Sequence, residues 1–271
     1  MNMATSMIKK AQIDFIGAGY HNSIYRGKYL GNTYTSAQKA EITSGRFNDL
    51  YIGDYWTIGG NDYVICHFDY YYKCSDSDVP YHHIIVMPRG SLKGLSFTGI
   101  TTSRGTESPA NGTAAWNPTD STAGGYIGSR IRTVIMPACN TKVSAAFGSA
   151  NVHALSELYP TSFASSTDGR ASGAGWTSTD LVCDLCNETM VYGHQIWGKG
   201  SAFDKEGNEV GIDKWQLAIF RLDPGFADIR VIWWLRSVDS ATLVAIVGSG
   251  GNASYENASG VFVVRPRLIV S

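Results

Sequence analysis

Near the C-terminus of the chain, runs of apolar residues are separated by short segments of small polar residues. Three runs rich in β-branched and aromatic residues are separated by Asp, Ser, Gly and Asn, and they are VIWWLRS at 231–237, TLVAIVGSGG at 242–251 and GVFVVRPRLIV at 260–270. Residues of the first kind favour strands, and the small polar residues between them favour turns. The pattern therefore predicts an antiparallel meander that closes the fold.

A second β pattern lies in the first third of the chain. The runs LYIGDYWTI at 50–58 and DYVICHFDYYY at 62–72 are joined by Gly59 and Gly60, which predicts a hairpin. The run HHIIVMP at 82–88 is short, apolar and ended by a proline, as is typical of a buried central strand. His82 and His83 are adjacent in that run, so they should point to opposite faces, with one of them buried.

Helical patterns are few and short. Thr33 or Thr35 is a candidate N-cap for a helix that ends near Gly45. Apolar residues of 125–134 recur at helical offsets, and Pro137 should stop or kink that element before a second short helix across 142–147.

The remaining segments are expected to lie at the surface. Residues 89–123 are poor in apolar side chains and predict a long loop, and the charged residues 204–214 predict a solvated tip between short strands that leads into the apolar run at 215–222. Residues 1 to about 20 have no clean period and predict a tail.

Composition narrows the class of protein. The chain has 271 residues, of which 17% are charged and 12% aromatic, with 30 Gly and a formal net charge of −1. This mixture disfavours disorder and coiled coil, and the near-zero charge provides no broad field for nucleic acid. We expect one loop-rich domain with no nucleic-acid partner. Because the sequence has no long apolar run, we also expect no secretion signal and no membrane insertion.

Cysteine and acidic motifs give little support for a metal site. Five cysteines are an odd number, and Cys183 and Cys186 have the spacing of a zinc or redox pair with only Cys139 as a nearby third member. We expect mostly reduced thiols and no metal, with pairing of Cys183 and Cys186 left open. The segment from Asp204 departs from a calcium loop, because Glu209 stands where that loop needs glycine.

Catalytic signatures are equally weak. Ser36 and Lys39 match the S-x-x-K pattern of penicillin-recognising enzymes, but the partner motifs of those enzymes are absent. The sequence contains no GxSxG, no H-E-x-x-H and no phosphate loop. We therefore expect a protein that is not an enzyme and that has no cofactor.

The closing pattern resembles that of a known family. WWLRS at 233–237, a small-residue hairpin, and a GVxxVRP segment that ends at Pro266 resemble the closing strands of C-type-lectin-like domains in bacteriophage and gut-bacterial proteins. Further segments are similar to one lineage of phage virion proteins, and they are IYRGKYLG at 24–31, FNDLYIGDYW at 47–56, HHIIVMP at 82–88, GGYIGSRIR at 124–132, MVYGHQIWG at 190–198 and VGIDKWQLAIF at 210–220. The resemblance extends over nearly the whole chain from about residue 22.

The resemblance implies an α+β fold with the C-type-lectin-like arrangement. Such a domain has short helices beside small, twisted antiparallel sheets, with long surface loops. We expect it to span residues 46–271, with residues 1–45, a tail and one short helix, outside the core as an anchor to another virion protein. The chain lacks the Glu-Pro-Asn and Trp-Asn-Asp segments of calcium-dependent lectins and the late cysteines of sulfatase-activating enzymes.

The frame of the closing strands is expected to be structural. Trp233 and Trp234 alternate across a strand, so one ring should enter the core while the other packs beneath a loop. Arg236 and Arg265 are expected to be buried, where each needs a carboxylate or several carbonyl groups. Asp54 and Asp213 are the candidate carboxylates.

Binding is expected on a face built from loops and the last strands. Polar positions are displayed between the strands of 238–260, and the candidates are Asp239, Ser240, Thr242, Ser249, Asn252, Ser254, Tyr255, Glu256 and Asn257. Tyrosine with Ser, Gly and Asn is the composition of adaptable recognition surfaces, although a plain solvated hairpin uses the same small residues. Other aromatic residues could stack on sugars or join subunits, or else be partly buried beneath loops, and they are Tyr70, Tyr71, Tyr72, Trp116 and Trp176.

The resemblance also implies a function. It predicts a non-enzymatic component of a tailed phage particle, as a capsid decoration, head fibre or tail-tip protein that adheres to a host-surface protein or glycan. Its partners would be other virion proteins and further copies of itself, with a trimer as the candidate homo-oligomer by analogy. The alternative is a cementing protein between virion subunits with no external ligand, and a bacterial surface adhesin is a third hypothesis.

Overall fold

The computed structural model describes residues 17–73, 79–160, 176–197, 202–203, 209–210 and 215–271. For residues 155–160, 176–181, 202–203 and 209–210, only the backbone is described. The predicted tail up to residue 16 and most of the predicted tip at 204–214 therefore lie outside the described residues.

The helices of the described residues are short. The α-helices are α1 (Ala18–His21), α2 (Ser36–Thr43), α3 (Gly125–Gly128), α4 (Met136–Phe147), α5 (Glu188–Tyr192) and α6 (Ala218–Leu222). One π-helical segment, Ile131–Ile135, precedes α4, and one 3₁₀ turn, Pro224–Phe226, follows α6.

The strands are numbered in chain order. They are β1 (Tyr55–Ile58), β2 (Asn61–Phe68), β3 (Ile84–Pro88), β4 (Thr101–Thr102), β5 (Gly105–Thr106), β6 (Thr113–Ala115), β7 (Val152–His153), β8 (Leu155–Pro160), β9 (Trp176–Leu181), β10 (Cys183–Leu185), β11 (Ala202–Phe203), β12 (Glu209–Val210), β13 (Trp233–Val238), β14 (Leu243–Val247), β15 (Ala253–Asn257), β16 (Val261–Val263) and β17 (Pro266–Val270). Small antiparallel sheets with short helices make the protein an α+β fold, as predicted.

The larger sheet has six strands, in the order β1-β2-β3-β17-β10, with β7 also paired to β17. Ile58 pairs with Asn61 across the turn at Gly59 and Gly60, whose positive φ angles fit a tight hairpin. The predicted hairpin is therefore confirmed. The apolar run before Pro88 forms β3, which is buried along its length between β2 and β17, and this confirms the prediction of a central strand.

The second sheet has five strands, in the order β15-β14-β13-β16-β6. Strands β13 and β14 pair antiparallel, as predicted, and β15, which lies in a segment expected only to connect strands, adds a third antiparallel strand. The third predicted run does not continue this antiparallel arrangement, because β16 pairs parallel to β13 and β17 belongs to the larger sheet. The break at Val264 and Arg265 comes just before Pro266, and a proline inside a strand pattern is a signal of such a break that the prediction of one continuous strand did not use.

Residues 17–45 pack against the same core, so the expectation that they lie outside it is wrong. The Asn22 side chain donates to the Phe68 carbonyl and accepts from its N–H, at 2.9 and 2.8 Å. Helix α2 is capped by Thr35 in a capping box with Gln38, as the N-cap prediction allowed, and it buries Ile42 completely. These contacts attach the segment to the large sheet.

Three other predictions need correction. The second helix, predicted across 142–147, begins at Met136 as α4, with Pro137 in its first turn, where proline is tolerated. The apolar run at 215–222, which was expected to follow short strands, ends in helix α6 at 218–222. The predicted loop at 89–123 contains β6, and Gly112 of this segment is so close to Leu92 that an added Cβ would lie 2.1 Å from the Leu92 carbonyl oxygen.

Two buried histidines are held neutral by the fold. His67 Nδ1 accepts from the Ala218 N–H at 2.9 Å, and His83 Nε2 accepts from the Tyr71 N–H at 3.1 Å. Burial lowers the pKa of His67 to about 3 and that of His83 to about 4. Burial of His83 also confirms that one of the two adjacent histidines is internal, since His82 is only half-buried.

The histidines predict how stability depends on pH. The unfolded chain has the ordinary histidine pKa of 6.5, so it takes up protons between pH 7 and pH 5 while folded His67 and His83 do not. The free energy of unfolding should therefore fall by about 2 kcal/mol for each histidine over that range. Urea titrations at pH 7, 6 and 5 measure this change, and a free energy of unfolding that stays constant would contradict it.

Candidate functional site

A buried carboxylate joins the strands that support the candidate face. Asp184 of β10 accepts from Arg236 of β13 at 2.8 Å and from Arg267 of β17 at 3.5 Å. The Tyr126 hydroxyl donates to the same carboxylate, and burial keeps the pKa of Tyr126 well above its usual value. All four side chains are almost completely buried, so the two sheets are linked by one charge network.

Of the two carboxylates predicted for the structural arginines, Asp54 has another partner, and Arg265 follows the alternative prediction of carbonyl partners. Asp54 pairs with Arg26 at 2.6 Å, and Asp213 lies outside the described residues. Arg265 is fully buried and donates to two carbonyl oxygens, from Nε to Pro88 at 2.9 Å and from Nη1 to Phe226 at 2.7 Å. Burial lowers the pKa of Arg265 to about 10. These partners are far apart in the sequence, so the sequence did not indicate which groups would meet.

The Trp233 and Trp234 rings are both completely buried. The Trp233 Nε1 donates to the Ala227 carbonyl at 3.1 Å, and the Trp234 Nε1 donates to the Ala114 carbonyl at 2.8 Å. The Arg265 guanidinium lies 4.9 Å from the Trp233 ring centre. These side chains are a rigid frame and contact no open surface.

The candidate binding residues of 238–260, which we call the polar face, do not converge on one pocket. Four of them lie at one end of the β14–β15 hairpin, two lie in its turn and three lie on β15. In that order they are Asp239, Ser240, Thr242 and Asn257, then Ser249 and Asn252, then Ser254, Tyr255 and Glu256. A five-residue strand separates the two ends by about 13 Å.

Two members of the polar face have structural tasks instead. The Asp239 and Ser240 N–H groups both donate to the Leu243 carbonyl, at 3.0 and 3.2 Å, and so form the turn into β14. The Ser240 hydroxyl accepts from the Leu243 N–H at 3.1 Å, and the Asp239 residue is only 7% exposed. Polar residues at these positions form the hydrogen bonds of a turn. The sequence alone could not distinguish such turn residues from polar residues of a binding surface.

An exposed aromatic pair joins Tyr255 of the polar face to Trp197 of a neighbouring loop. Trp197 and Tyr255 pack edge to face with ring centroids 4.8 Å apart, and they are 39% and 40% exposed beside Ile196, which is 43% exposed. The buried Glu188 carboxylate accepts the Ile196 and Trp197 N–H groups, at 3.2 and 2.9 Å, which fixes the loop. The sequence motif at 190–198 contained Trp197, but no local signal showed that this ring would be exposed.

None of the four candidate aromatic residues whose side chains are described is exposed. Tyr70, Tyr71 and Trp116 are buried, which agrees with the alternative of burial beneath loops, and Tyr72 stacks on His82 with centroids 4.2 Å apart. The Trp176 side chain lies outside the described residues.

A concave site lies between three segments that are far apart in the sequence. Residues from 60–62, 88–93 and 223–230 line an open cleft of about 560 Å³, which we call the charged cleft. Its ionisable side chains are Asp62, Arg89, Lys93, Asp223, Asp228 and Arg230. Sequence reasoning missed this cleft because the hairpin turn, the end of β3 and the turn after α6 meet only in the folded chain.

The described cysteines are all buried, and Cys139 interacts with Cys183. Cys66, Cys139, Cys183 and Cys186 are buried free thiols, while Cys74 lies outside the described residues. Cys183 Sγ contacts the Met136 carbonyl and Cys186 Sγ contacts Met87 Sδ, each at 3.6 Å. Burial raises the pKa of Cys186 to about 12, so this thiol is protonated at neutral pH. Over the described residues, no group of three or more His, Cys, Asp or Glu side chains could hold a metal ion.

None of the helices in the described parts of the chain is both long and apolar enough to cross a lipid bilayer. A scan against protein-family models, a search of curated proteins and a search of solved structures each gave no match. The resemblance to C-type-lectin-like phage proteins therefore stays a prediction.

Replacing Asp184 tests the frame. Asp184→Ala should lower the free energy of unfolding by about 3–5 kcal/mol, because it leaves the Arg236 and Arg267 guanidinium groups buried beside a missing carboxylate. Chemical denaturation monitored by tryptophan fluorescence measures the loss.

Arg104→Gln is the matched control, because it removes a half-exposed ion pair with Asp120. Its effect should stay within about 1 kcal/mol. Equal effects of the two substitutions would show that the buried network does not stabilise the frame more than a surface pair does.

Proposed function

We propose that this protein is a non-enzymatic component of a bacteriophage particle, displayed on the particle surface as a capsid decoration, head fibre or tail-tip protein. Its task is adhesion to a host-surface protein or glycan. The observation that carries the adhesive part of the proposal is the exposed pair of Trp197 and Tyr255 on a rigid frame. Large aromatic side chains that are ordered before binding supply contact area at a low entropic cost.

The fold that we propose is the C-type-lectin-like arrangement. Its support is the sequence resemblance, together with two small sheets that share the closing segment around Arg265. The α+β architecture of short helices and small antiparallel sheets is compatible with this arrangement.

The division between frame and surface supports a binding role. Trp233, Trp234 and Arg236 are buried, whereas Ser249 and Asn252 in the β14–β15 turn are exposed. The turn is attached to α5, because the Tyr192 hydroxyl donates to the Gly251 carbonyl at 3.2 Å. Surface positions on such a frame can change without loss of the core.

The proposed anchor to other virion proteins is the N-terminal segment. In its described part, Tyr20 and Tyr29 are exposed large side chains that a neighbouring subunit could cover. Deletion of all 45 residues would remove Ile42 from the core, so the anchor is better tested by deleting residues 1–16 or by Tyr20→Ser with Tyr29→Ser. Unchanged incorporation into particles in both cases would contradict the anchor.

A cementing protein without an external ligand is the second candidate function. Strand β15 lies at the end of the five-stranded sheet as the described residues form it, and a strand in that position can accept a strand from a neighbouring subunit. In that case the polar face would be buried between subunits.

A reconstruction of the intact particle separates the two functions. We expect the polar face to be directed toward solvent and the N-terminal segment to contact a neighbouring virion protein. If residues 253–257 are instead covered by another subunit, the adhesive function is wrong and the cementing function is correct.

Substitutions in the aromatic pair test adhesion directly. Trp197→Ala and Tyr255→Ala should each reduce attachment of particles to host cells by about tenfold or more, because truncation of an aromatic anchor commonly has this effect. Incorporation into particles should not change. Arg46→Gln alters an exposed side chain outside the polar face and is the control. Normal attachment by both aromatic variants would contradict adhesion through this pair.

A further inference from the structure

We propose that the charged cleft is a binding site for a neutral saccharide. This inference goes beyond the proposed function because it assigns a second site, separate from the aromatic pair, and a chemical class of ligand. The cleft volume of about 560 Å³ lies within the roughly 300–1,000 Å³ that is usual for small-molecule sites.

The side chains of the charged cleft offer donors and acceptors in equal measure. Arg89, Lys93 and Arg230 supply N–H donors, and the carboxylates that line the same cleft supply acceptors. A sugar hydroxyl both donates and accepts a hydrogen bond, so it can bridge a guanidinium group and a carboxylate.

The balance of charge disfavours a strongly charged ligand. Three cationic side chains of the lining face three carboxylates, Asp62, Asp223 and Asp228. Two of these carboxylates already pair with cations of the lining, Asp62 with Arg89 at 3.8 Å and Asp228 with Arg230 at 3.7 Å. Attraction and repulsion therefore cancel for an ion, and the cleft has no net charge that would draw an anion or a cation. A polyhydroxylated neutral molecule needs no such attraction, because it binds through hydrogen bonds.

The floor of the charged cleft is fixed before any ligand binds. Asn61 accepts from the Lys93 N–H at 2.8 Å and donates to the Lys93 carbonyl at 3.3 Å, which holds two of the lining segments together. Below them, Arg265 donates to the Pro88 and Phe226 carbonyls and lies 4.0 Å from the Phe226 ring centre. Preformed sites lose less conformational freedom when they bind.

A tyrosine lies near the charged cleft. Burial and the neighbouring Asp223 carboxylate, which lines the cleft, raise the pKa of Tyr25. The ring packs on the backbone of Gly53, where an added Cβ would lie 2.3 Å from it, so only glycine allows this approach. Tyr25 is nevertheless exposed and presents an aromatic surface of the kind that stacks on sugar rings.

The binding experiment uses the full chain and a panel of neutral oligosaccharides built from hexoses, N-acetylhexosamines and deoxyhexoses. Calorimetry then gives the Kd of the best binder for Arg89→Gln, Asp223→Asn and Arg230→Gln. We expect each substitution to raise Kd by about tenfold or more, because each removes a charged hydrogen-bonding group. The Arg230 side chain is 90% exposed, so its substitution should not affect folding.

Two measurements separate this site from others. Trp197→Ala and Tyr255→Ala should leave the saccharide Kd unchanged, since these residues do not line the charged cleft. Inorganic phosphate serves as an anionic probe. If phosphate binds and Asp223→Asn strengthens that binding while Arg89→Gln weakens it, the cleft is an anion site and the saccharide proposal is wrong.

Two further outcomes would also overturn the proposal. They are the absence of binding to every oligosaccharide in the panel, and binding that only the Trp197 and Tyr255 variants abolish. The second outcome would leave adhesion through the aromatic pair intact. Conversely, cleft binding together with normal host attachment by the aromatic variants would support the cleft while contradicting the proposed use of the polar face.

Discussion

The shared carboxylate of Asp184 is the constraint on which the arrangement of the two sheets depends. It lies on β10 and meets Arg236 from the five-stranded sheet and Arg267 from the six-stranded sheet. Because a buried guanidinium group is costly without a partner, neither sheet can shift relative to the other without exposing or separating these charges. The interaction therefore fixes orientation more than it adds net stability.

That fixed orientation explains how surface groups from distant parts of the chain can be held in place. The β14–β15 hairpin projects from β13, which carries Arg236, so its turn has a defined position. The Glu188 carboxylate performs a similar task for the loop that carries Trp197. In both cases an internal acid orders backbone or side chains that reach the surface, and the exposed groups themselves contribute little to the core.

The sequence predicted those secondary-structure elements that depend on the local pattern of apolar and polar residues. The β1–β2 hairpin and the central strand β3 follow from neighbouring residues and were predicted correctly, and Thr35 was one of the two predicted caps of α2. Partners across the fold were not predictable, because Asp184 lies 52 residues from Arg236 in the chain. The same reason hid the charged cleft and the exposure of Trp197, while Asp239 was taken for a surface group although it forms a buried turn.

The division of the last apolar run between two sheets has a consequence for folding. Strand β17 lies between β3 and β10, so the large sheet lacks an inner strand until residues 266–270 have been synthesised. During translation, one edge of β3 therefore stays unpaired while about 180 further residues are added. Such an edge is prone to pair with other chains. Productive folding of this protein should thus depend on protection of the nascent chain, for example by a chaperone.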